Sequence, residues 1–366
     1  MSPKLAVRPR IRSRLGLLEA VATPHGLDSY LEQLDPLLVT GECRAEVVAV
    51  ERGTEESVTL TLRPNRAWRG FRAGQFVNVA FEIDGVRHQR CYSPACAERG
   101  GDKTLEITTK RHPEGLVSNF LVDRAAPGMI VGLSQAEGDF QLPDPRPESV
   151  LLIGGGSGIT PLMAILRTLF AEEYEGPIAL IHYAPDADRC IYREELERLA
   201  VVHPNFQLLR SYTRAPGAGE LDGHFSPTHL PQSDPDFTAA ETFACGPPAL
   251  LDAVRGTWAN GLEHRLHVES FVPPTFLPVG EPGEGQVRFA DSGVAVANSG
   301  SSLLEQAEAA GLSPEYGCRM GICHTCTCRK RAGTHKNLLT GEVSSAPDEE
   351  IQLCVSAALG DLTVEL

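Results

Sequence analysis

The spacing of hydrophobic positions changes twice along the middle of this 366-residue chain. From Cys43 to about Pro147, apolar and polar residues alternate, as in SVTLTLRP and QFVNVAFEI, with DG and GG turns between the segments. This period of two is typical of half-buried strands, and a series of short strands predicts an antiparallel β-barrel. From Ser149 to about Val272, apolar segments such as PIALIHYA alternate with helical ones such as YREELERLA. This repeat predicts a parallel, doubly wound α/β sheet.

The two ends of the chain and one short segment have patterns of their own. Residues 1–42 carry leucines at helical spacing after a basic arm, which predicts a helical lead-in. Residues 273–285 are rich in proline and glycine, which favours a linker. Residues 286–366 begin with a strand, QVRFA, continue through a helical SSLLEQAEAAG and end with DLTVEL. The predicted domains are therefore 43–148, 149–272 and 286–366.

The longest uncharged segment, SVLLIGGGSGITPLMAIL at residues 149–166, is close to the length of a membrane-spanning helix. Three consecutive glycines and Pro161 would weaken such a helix, so a strand, a tight turn and an amphipathic helix are expected instead. The sequence also has no secretory signal pattern, and we expect the protein to be cytoplasmic. Ten cysteines are then expected to be reduced thiols and metal ligands.

The charge of the chain limits its partners. A formal net charge of -15 and a pI near 5.2 argue against nucleic-acid binding, which requires a basic surface. The exception is the N-terminal arm, where five basic residues occur before the first acidic residue; they are Lys4, Arg8, Arg10, Arg12 and Arg14. This arm is either a solvated tail or a contact with an acidic membrane surface.

Four cysteines lie close together in YGCRMGICHTCTC, and one more follows downstream. The spacing Cys318-x4-Cys323-x2-Cys326, followed by Cys354, matches the plant-type [2Fe-2S] pattern. Cys328 is the alternative fourth ligand, but its side chain would face the other three only if a strand had already begun. We therefore expect the ligands to be Cys318, Cys323, Cys326 and Cys354.

Two alternatives to an iron-sulfur cluster are weaker. A structural zinc site would pair two CxxC knuckles, and here the second knuckle is missing. Structural free thiols are normally buried in apolar surroundings, whereas this loop is rich in glycine. Gly317 and Gly321 would instead let backbone N-H groups approach the sulfur atoms of a cluster.

Three other motifs are modest individually. The glycine-rich GGGSGITP at residues 154–161 follows an apolar strand and opens a helix, which is the context of a dinucleotide-binding turn. Cys245-Gly246-Pro247 follows a second strand, and alone it would usually be a turn. Arg90-Cys91-Tyr92-Ser93 ends a strand of the barrel region, and GLVSNFL at residues 115–121 offers a helix start to a phosphate.

Together these motifs resemble the ferredoxin-NAD(P)+ reductase superfamily with a C-terminal plant-type ferredoxin domain, over residues 43–366. The resemblance implies an FAD-binding barrel, an NAD(P)-binding α/β domain and a β-grasp ferredoxin domain, with FMN left open as the flavin. For FAD it implies Arg90, Tyr92, Ser93, Gly115, Leu116, Val117, Ser118 and Phe271. For the nicotinamide nucleotide it implies Gly155, Gly156, Ser157, Gly158, Thr160, Pro161, Cys245, Gly246 and Pro247. Ser93, Cys245 and Glu269 would line the path of the hydride.

The preferred nucleotide depends on a basic group that receives the 2′-phosphate of NADPH. Candidates are Arg189, Arg193 and Arg214, and we include Arg214 among the expected contacts. Related reductases often place an arginine directly after HYA, where this chain has Pro185. NADPH is therefore the expected donor, with NADH as the alternative.

A flavin would connect a two-electron donor with a one-electron cluster. Because the sequence shows no motif for a diiron, haem or mononuclear iron centre, we expect the electrons to pass to another protein. The segments TPHGLDSYLE and LTLRPNRAWRGFRAGQFVNV resemble reductase partners of acyl-CoA desaturases, which are embedded in membranes. The alternatives are a reductase of a soluble aromatic-ring or acyl-CoA oxygenase and, in another class, a redox-sensing binding module.

Overall fold

The computed structural model describes residues 27–39, 41–98, 104–259, 261–272, 276–279, 284–321 and 323–366. Within these ranges three sheets follow one another along the chain. Of the predicted helical lead-in, helix α1 (Leu27–Leu34) is described. The basic arm lies outside the described residues, so its predicted membrane contact stays a prediction.

The first sheet is antiparallel and has the order β4-β3-β6-β1-β2-β5. An isolated bridge between Pro94 and Ile107 joins its two edges, which closes the barrel around an apolar core. Asp84 and Gly85, both at positive φ, form the turn between β3 and β4. Its elements are β1 (Arg44–Thr54), β2 (Ser57–Pro64), β3 (Val77–Ile83), β4 (Val86–Tyr92), β5 (Leu105–Lys110), α2 (Leu116–Arg124) and β6 (Ile130–Leu133).

The second sheet is parallel, with the order β11-β10-β7-β8-β9. Every residue of β7 and β8 is buried, because helices cover both faces of the sheet. The strand, turn and helix predicted at residues 149–166 are confirmed. The elements are β7 (Val150–Gly155), α3 (Ile159–Ala171), β8 (Ile178–Ala184), α4 (Arg193–Val202), β9 (Phe206–Tyr212), β10 (Glu241–Cys245), α5 (Pro248–Trp258) and β11 (Leu266–Glu269).

The third sheet is mixed and packs on one helix. Its order is β13-β12-β17-β14-β15, and β16 also pairs with β14. Ser302 and Glu305 form a capping box at the start of the helix. The elements are β12 (Gln286–Phe289), β13 (Val294–Ala297), α6 (Leu303–Ala309), β14 (Thr327–Asn337), β15 (Val343–Ser344), β16 (Glu349–Gln352) and β17 (Ser356–Val364).

The first two domains share a charged junction. Arg167 on α3 donates to Glu106 Oε2 at 2.6 Å and to the Ala95 carbonyl at 2.8 Å, both in the barrel. The same guanidinium donates to Glu195 on α4 at 2.8 Å. Thr168 Oγ1, one residue further on, accepts a hydrogen bond from the Glu98 backbone N-H at 3.0 Å. The barrel and the parallel sheet are therefore held together by charge-assisted hydrogen bonds.

The multidomain fold predicted from the sequence is confirmed, with an antiparallel barrel, a parallel α/β sheet and a small α+β domain in that order. In the ranges that the structure describes, no helix has both the length and the apolar character needed to cross a membrane.

Candidate flavin, nicotinamide and iron-sulfur sites

The cysteine loop of the third domain is folded around sulfur atoms. Cys318 Sγ accepts a hydrogen bond from the Met320 backbone N-H, and Cys323 Sγ accepts one from the Cys318 backbone N-H, each at 3.2 Å. A side chain on Gly317 would lie 2.8 Å from Cys323 Sγ, so only glycine permits this approach. Arg319 has a positive φ of 57° in this tight loop. Backbone N-H groups that donate to sulfur are the surroundings that an iron-sulfur cluster requires.

The four predicted ligands form two pairs. The pKa of Cys323 is lowered, first by its hydrogen bond with Cys318. The pKa of Cys326 is lowered to about 7, first by its hydrogen bond with Cys354. Cys318, Cys326 and Cys354 are buried, and Cys323 is partly buried. Two pairs of sulfur atoms, each with a group that favours the thiolate, fit a centre with two iron atoms.

Cys328 lies apart from these pairs in the β14 ladder, opposite Ile351 of β16. Burial raises the pKa of Cys328 to about 12, so it remains a thiol. Strand β14 has already begun at Thr327, but the side chain of Cys328 packs against the core of the domain. This placement agrees with the expectation that Cys328 is not a ligand.

A fifth cysteine approaches the loop from the barrel. The sulfur atoms of Cys91, Cys318 and Cys323 all lie within 4.8 Å of one another. Two residues earlier on the same strand, Gln89 Nε2 donates to Thr325 Oγ1 at 3.0 Å. Sequence reasoning missed this contact, because nothing in the pattern relates the barrel strand to a loop 236 residues away.

The three residues predicted to line the hydride path come from three separate segments. Ser93, directly after β4, donates from Oγ to Glu269 Oε2 at 3.1 Å. Glu269 ends β11 and stands in register with Cys245, which ends β10 and is fully buried. The structure therefore brings these three side chains together at the carboxyl edge of the parallel sheet, where ligands of such sheets bind.

Glu269 is held in a site that disfavours its charge. Burial raises the pKa of its carboxyl to about 8, and the hydrogen bond from Ser93 opposes this shift only in part. Burial also raises the pKa of Cys245 well above its ordinary value, with the Glu269 charge as a further cause. Below about pH 8 both groups are therefore neutral and keep their protons.

A cavity of about 500 Å³ opens along the same edge. Its walls include most of the residues predicted for the nicotinamide nucleotide, namely Gly155, Gly156, Ser157, Gly158, Gly246 and Pro247, together with Phe271, which was predicted for the flavin. A side chain on Gly158 would lie 2.2 Å from the Cys245 carbonyl oxygen, so the turn requires glycine there. Thr160 and Pro161 instead lie buried in the first turn of α3, where Thr160 Oγ1 donates to the Ser157 carbonyl at 3.1 Å. Their place is structural support beneath the turn.

Other wall residues carried no signal in the sequence. They are Lys110 of the barrel and Tyr183, Thr213, His224, Phe225 and Leu250 of the second domain. Lys110 also makes an ion pair with Glu56 at 3.1 Å. These residues come from several separate segments, so only the fold brings them together.

The three candidate arginines differ in their surroundings. Arg189 makes ion pairs with Asp186 at 2.7 Å and with Glu56 at 3.5 Å. Among the described residues we find no ion-pair partner for Arg193 or Arg214, and Arg214 is exposed directly after Thr213 of the cavity wall.

The flavin-related residues lie around the end of β4. Arg90 donates from Nη1 to the Gln89 carbonyl at 2.7 Å, and Tyr92 packs edge-on against Phe81 of the barrel. Burial raises the pKa of the Tyr92 hydroxyl above its ordinary value, so it is a neutral donor and acceptor. Because successive residues of a strand point to opposite sides, Cys91 faces away from Arg90 and Tyr92.

Helix α2 supplies the remaining predicted contacts. It begins at Leu116 after Gly115, and no side chain caps it, so its first N-H groups are open to an anion. Ser118 Oγ donates to the Gly115 carbonyl at 3.3 Å; Leu116 is half-exposed and Val117 is buried. Within the described ranges the buried Asn119 Oδ1 has no hydrogen-bond partner. A ribityl or ribose hydroxyl would satisfy such an acceptor, so these residues fit a flavin nucleotide.

The domains match three known families in the order that the fold suggests. Residues 46–142 match the oxidoreductase FAD-binding domain, residues 152–256 the oxidoreductase NAD-binding domain, and residues 288–359 the 2Fe-2S iron-sulfur cluster binding domain.

Whole proteins are also similar to this chain over most of its length. An NADPH oxidoreductase of Mycobacterium tuberculosis (strain ATCC 25618 / H37Rv) is 36% identical over 94% of this chain and 90% of its own. The glycine betaine monooxygenase reductase subunit of Chromohalobacter salexigens is 30% identical over 81% of this chain and 87% of its own. The solved phthalate dioxygenase reductase shares the fold, with a TM-score of 0.57, 24% identity and coverage of 89% of this chain and 98% of its own.

Proposed function

We propose that this chain passes electrons from NADPH, one at a time, to an oxygenase component. The chain belongs to the family of ferredoxin reductase-type flavoproteins that carry a C-terminal [2Fe-2S] domain. Whatever its acceptor, the protein is an NAD(P)H oxidoreductase that uses FAD and a [2Fe-2S] cluster. When bound, the flavin accepts a hydride from the nucleotide and the cluster carries one electron at a time.

One observation supports this electron path above the others. The segment Arg90-Cys91-Tyr92-Ser93 touches both neighbouring domains, because Ser93 bonds to Glu269 and Cys91 lies against Cys318 and Cys323. Four consecutive residues therefore join the nicotinamide side to the cluster side. Transfer onward to an oxygenase component is supported by the similarity to a monooxygenase reductase subunit.

The residue roles follow from the geometry. Ser93, Cys245 and Glu269 would hold the nicotinamide against the flavin, in a site where neutral groups replace water. Arg90 and the start of α2 would bind the FAD diphosphate. Cys318, Cys323, Cys326 and Cys354 would ligate the cluster. Phe271, which is 38% exposed at the cavity mouth, would cover the exposed face of the flavin.

NADPH is the proposed donor, with Arg214 as the group that binds its 2′-phosphate. Arg214 follows Thr213 of the cavity wall and has no ion-pair partner among the residues that the structure describes, which supports this choice because guanidinium binds phosphate bidentately. Substituting Arg214→Ala should raise KM for NADPH about tenfold, as expected for the loss of one charge-assisted contact, and leave KM for NADH unchanged. Arg189→Ala is the matched control, because its guanidinium is already paired. Equal losses with both nucleotides would contradict the role of Arg214.

The acceptor is the finer part of the proposal. The monooxygenase reductase subunit named above favours a soluble oxygenase component. The membrane acyl-CoA desaturase is the second candidate, and it rests on the resemblance of TPHGLDSYLE and LTLRPNRAWRGFRAGQFVNV to reductase partners of desaturases. The membrane contact of the basic arm, the cytoplasmic location and the domain limits 43–148, 149–272 and 286–366 are likewise proposals.

An anaerobic visible titration tests the core of the proposal. Addition of NADPH should bleach both flavin and cluster absorption, and NADH should do so at higher concentration. A purified protein that shows neither flavin nor cluster absorption would overturn the proposal. Rapid reduction of cytochrome c would exclude the redox-sensor alternative. Turnover with a purified soluble oxygenase, compared with a desaturase in liposomes, distinguishes the two acceptors.

A further inference from the structure

A buried histidine lies next to the glycine-rich turn of the second domain, and the proposed nucleotide contacts do not include it. His182 stands on β8 opposite Gly154 of β7 and is 1% exposed. A side chain on Gly154 would lie 3.5 Å from His182 Cδ2, so the ring packs against the strand that leads into the turn. His182 Nε2 lies 3.4 Å from the carbonyl oxygen of Gly156, the residue of the turn with a positive φ of 55°.

The imidazole of His182 carries its proton on Nε2. Burial lowers the pKa of His182 to about 4, and the hydrogen bond with Gly156 opposes this shift only in part, so the ring is neutral near pH 7. The charge of Arg210 also lowers this pKa. A neutral imidazole has one N-H group and a carbonyl oxygen can only accept, so Nε2-H donates to Gly156 and Nδ1 is an acceptor.

A buried thiol on the other side of the ring fixes this tautomer. Cys190 is 3% exposed, and its Sγ lies 3.5 Å from His182 Nδ1. Burial raises the pKa of Cys190 to about 11, so the thiol keeps its proton and donates a hydrogen bond to Nδ1. Tyr212 packs with Cys190 in a small apolar cluster, and its hydroxyl donates to the same sulfur. The ring therefore has a hydrogen-bond partner at each nitrogen.

The bond to Gly156 determines how the next peptide group is oriented. The Gly156 carbonyl also accepts a hydrogen bond from the Ile159 backbone N-H, and with buried His182 as its second donor it faces the interior of the domain. In a trans peptide the C=O and the following N-H point in opposite directions, so the N-H of Ser157 faces outward. Ser157 lines the nucleotide cavity. Backbone N-H groups of a glycine-rich turn are the donors that bind the phosphates of a nucleotide.

We infer that His182 is a positioning residue for the nicotinamide nucleotide: it holds the Gly156–Ser157 peptide so that the Ser157 N-H faces the diphosphate. The inference rests on the proposed binding of the nucleotide in this cavity, and it adds the group that orients the turn. Because NADPH and NADH both carry the diphosphate, His182 should affect the two donors equally. Arg214, in contrast, is proposed to contact the 2′-phosphate, which only NADPH carries.

The test is steady-state reduction of ferricyanide by the full-length holoprotein with NADPH or with NADH. His182→Phe keeps an aromatic ring but removes both nitrogens, and it should raise KM about tenfold for both nucleotides, as expected for one lost hydrogen bond. The value of kcat should stay within about twofold, because a contact made equally before and in the transition state affects KM alone. His182→Gln should restore KM to within about twofold of wild type, since its amide N-H can replace Nε2-H.

His267→Phe is the matched control. His267 lies on β11 of the same sheet, where its Nε2 bonds to Glu241 at 2.6 Å, and it is not among the residues described as lining the cavity. This variant should leave both KM values unchanged. Because a substitution of buried His182 can prevent folding, Cys190→Ala is the second variant. It removes the donor to Nδ1 and should raise both KM values about threefold.

Four results would overturn the inference. The first is an unchanged KM in both His182→Phe and Cys190→Ala, and the second is a loss in His182→Gln as large as that in His182→Phe. The third is a loss confined to NADPH, which would place His182 at the 2′-phosphate. The fourth is an equal loss in His267→Phe, which would make the effect one of general stability. A wild-type protein that oxidises neither nucleotide would instead refute the proposed function, so the two failures are distinguishable.

Discussion

The barrel has two junctions, and they are built differently. Towards the nicotinamide domain it shares a hydrophobic core, in which Ala95 and Phe140 pack with Phe243, and the junction carries the Arg167 ion pairs. Towards the ferredoxin domain the described contacts are neutral: the Gln89–Thr325 hydrogen bond and the sulfur atoms around Cys91. In the ranges described here, no ion pair crosses this second junction.

The difference matches what each junction has to transfer. A hydride moves as an atom, so donor and acceptor have to be held at about 3 to 3.5 Å in a fixed orientation. An electron passes between neighbouring groups without the transfer of an atom. Its junction therefore needs a short distance and few intervening water molecules. We therefore expect the first junction to be rigid and the second to separate more easily.

The largest effect is expected from a substitution that stops electron transfer through the cluster and leaves hydride transfer to the flavin intact. Cys354→Ser should abolish the cluster spectrum and lower cytochrome c reduction by at least about a hundredfold, since even partners outside the ligand set cost 10- to 100-fold. Reduction of ferricyanide, which accepts electrons directly from the flavin, should stay close to wild type. Both activities are measured with NADPH in steady state. Loss of both would mean that the two junctions are not independent.

Breaking the charged junction should have the next largest effect. Arg167→Ala leaves Glu106 and Glu195 without their shared partner, and should lower the free energy of unfolding by about 2 kcal/mol. It should also slow flavin reduction by NADPH in stopped flow. The counterpart at the neutral junction, Gln89→Ala, should cost less than about 1 kcal/mol. Equal losses from the two substitutions, measured by urea unfolding, would remove the distinction.

A smaller effect concerns pH, and only the hydride junction should show it. The carboxyl of Glu269 has a pKa of about 8, above its ordinary 4.5. Between these values the unfolded chain has released a proton that the folded chain retains, so the stability contribution of Glu269 falls as pH rises.

Relative to Glu269→Gln, the wild type should therefore lose several kcal/mol between pH 5 and pH 8, at up to about 1.4 kcal/mol for each pH unit. Urea unfolding of both proteins across this range measures the difference. A difference that is constant with pH would show that the carboxyl is not held neutral.

The smallest effect is expected within the cysteine loop itself. Cys328→Ser should leave the cluster spectrum and the rate of cytochrome c reduction within about twofold of wild type, because the Cys328 side chain packs in the β14 ladder apart from the two pairs of predicted ligands. Iron and sulfide content per chain would be measured alongside. A loss of iron would make Cys328 a ligand and contradict the pairing of Cys326 with Cys354.

The order of the domains and the local motifs could be predicted from the sequence because each depends on neighbouring residues. The turn at 154–161 needs only a strand before it and a helix after it. The loop from Cys318 to Cys326 likewise contains its own glycines and its own N-H donors. Such local patterns are visible in a single sequence.

What the sequence could not supply were contacts between distant segments. Lys110 and His224 line the nucleotide cavity only because the barrel and the parallel sheet meet there. Thr160 and Pro161, expected to touch the nucleotide from their motif, lie beneath the turn because α3 turns them inward. The flavin motif gives Cys91 no role, whereas its sulfur lies within 4.8 Å of the sulfur atoms of Cys318 and Cys323.

The hairpin turn at Asp84 and Gly85 has a consequence for electron flow. Both residues have positive φ, which suits a tight two-residue turn and fixes the pairing of β3 with β4, including Asn78 with Cys91. A slip by one residue would exchange the two faces of β4, turning the guanidinium of Arg90 to the iron and the sulfur to the flavin. Which side chains of β4 face the flavin site and which face the cysteine loop thus depends on two residues at the far end of the hairpin, away from both sites.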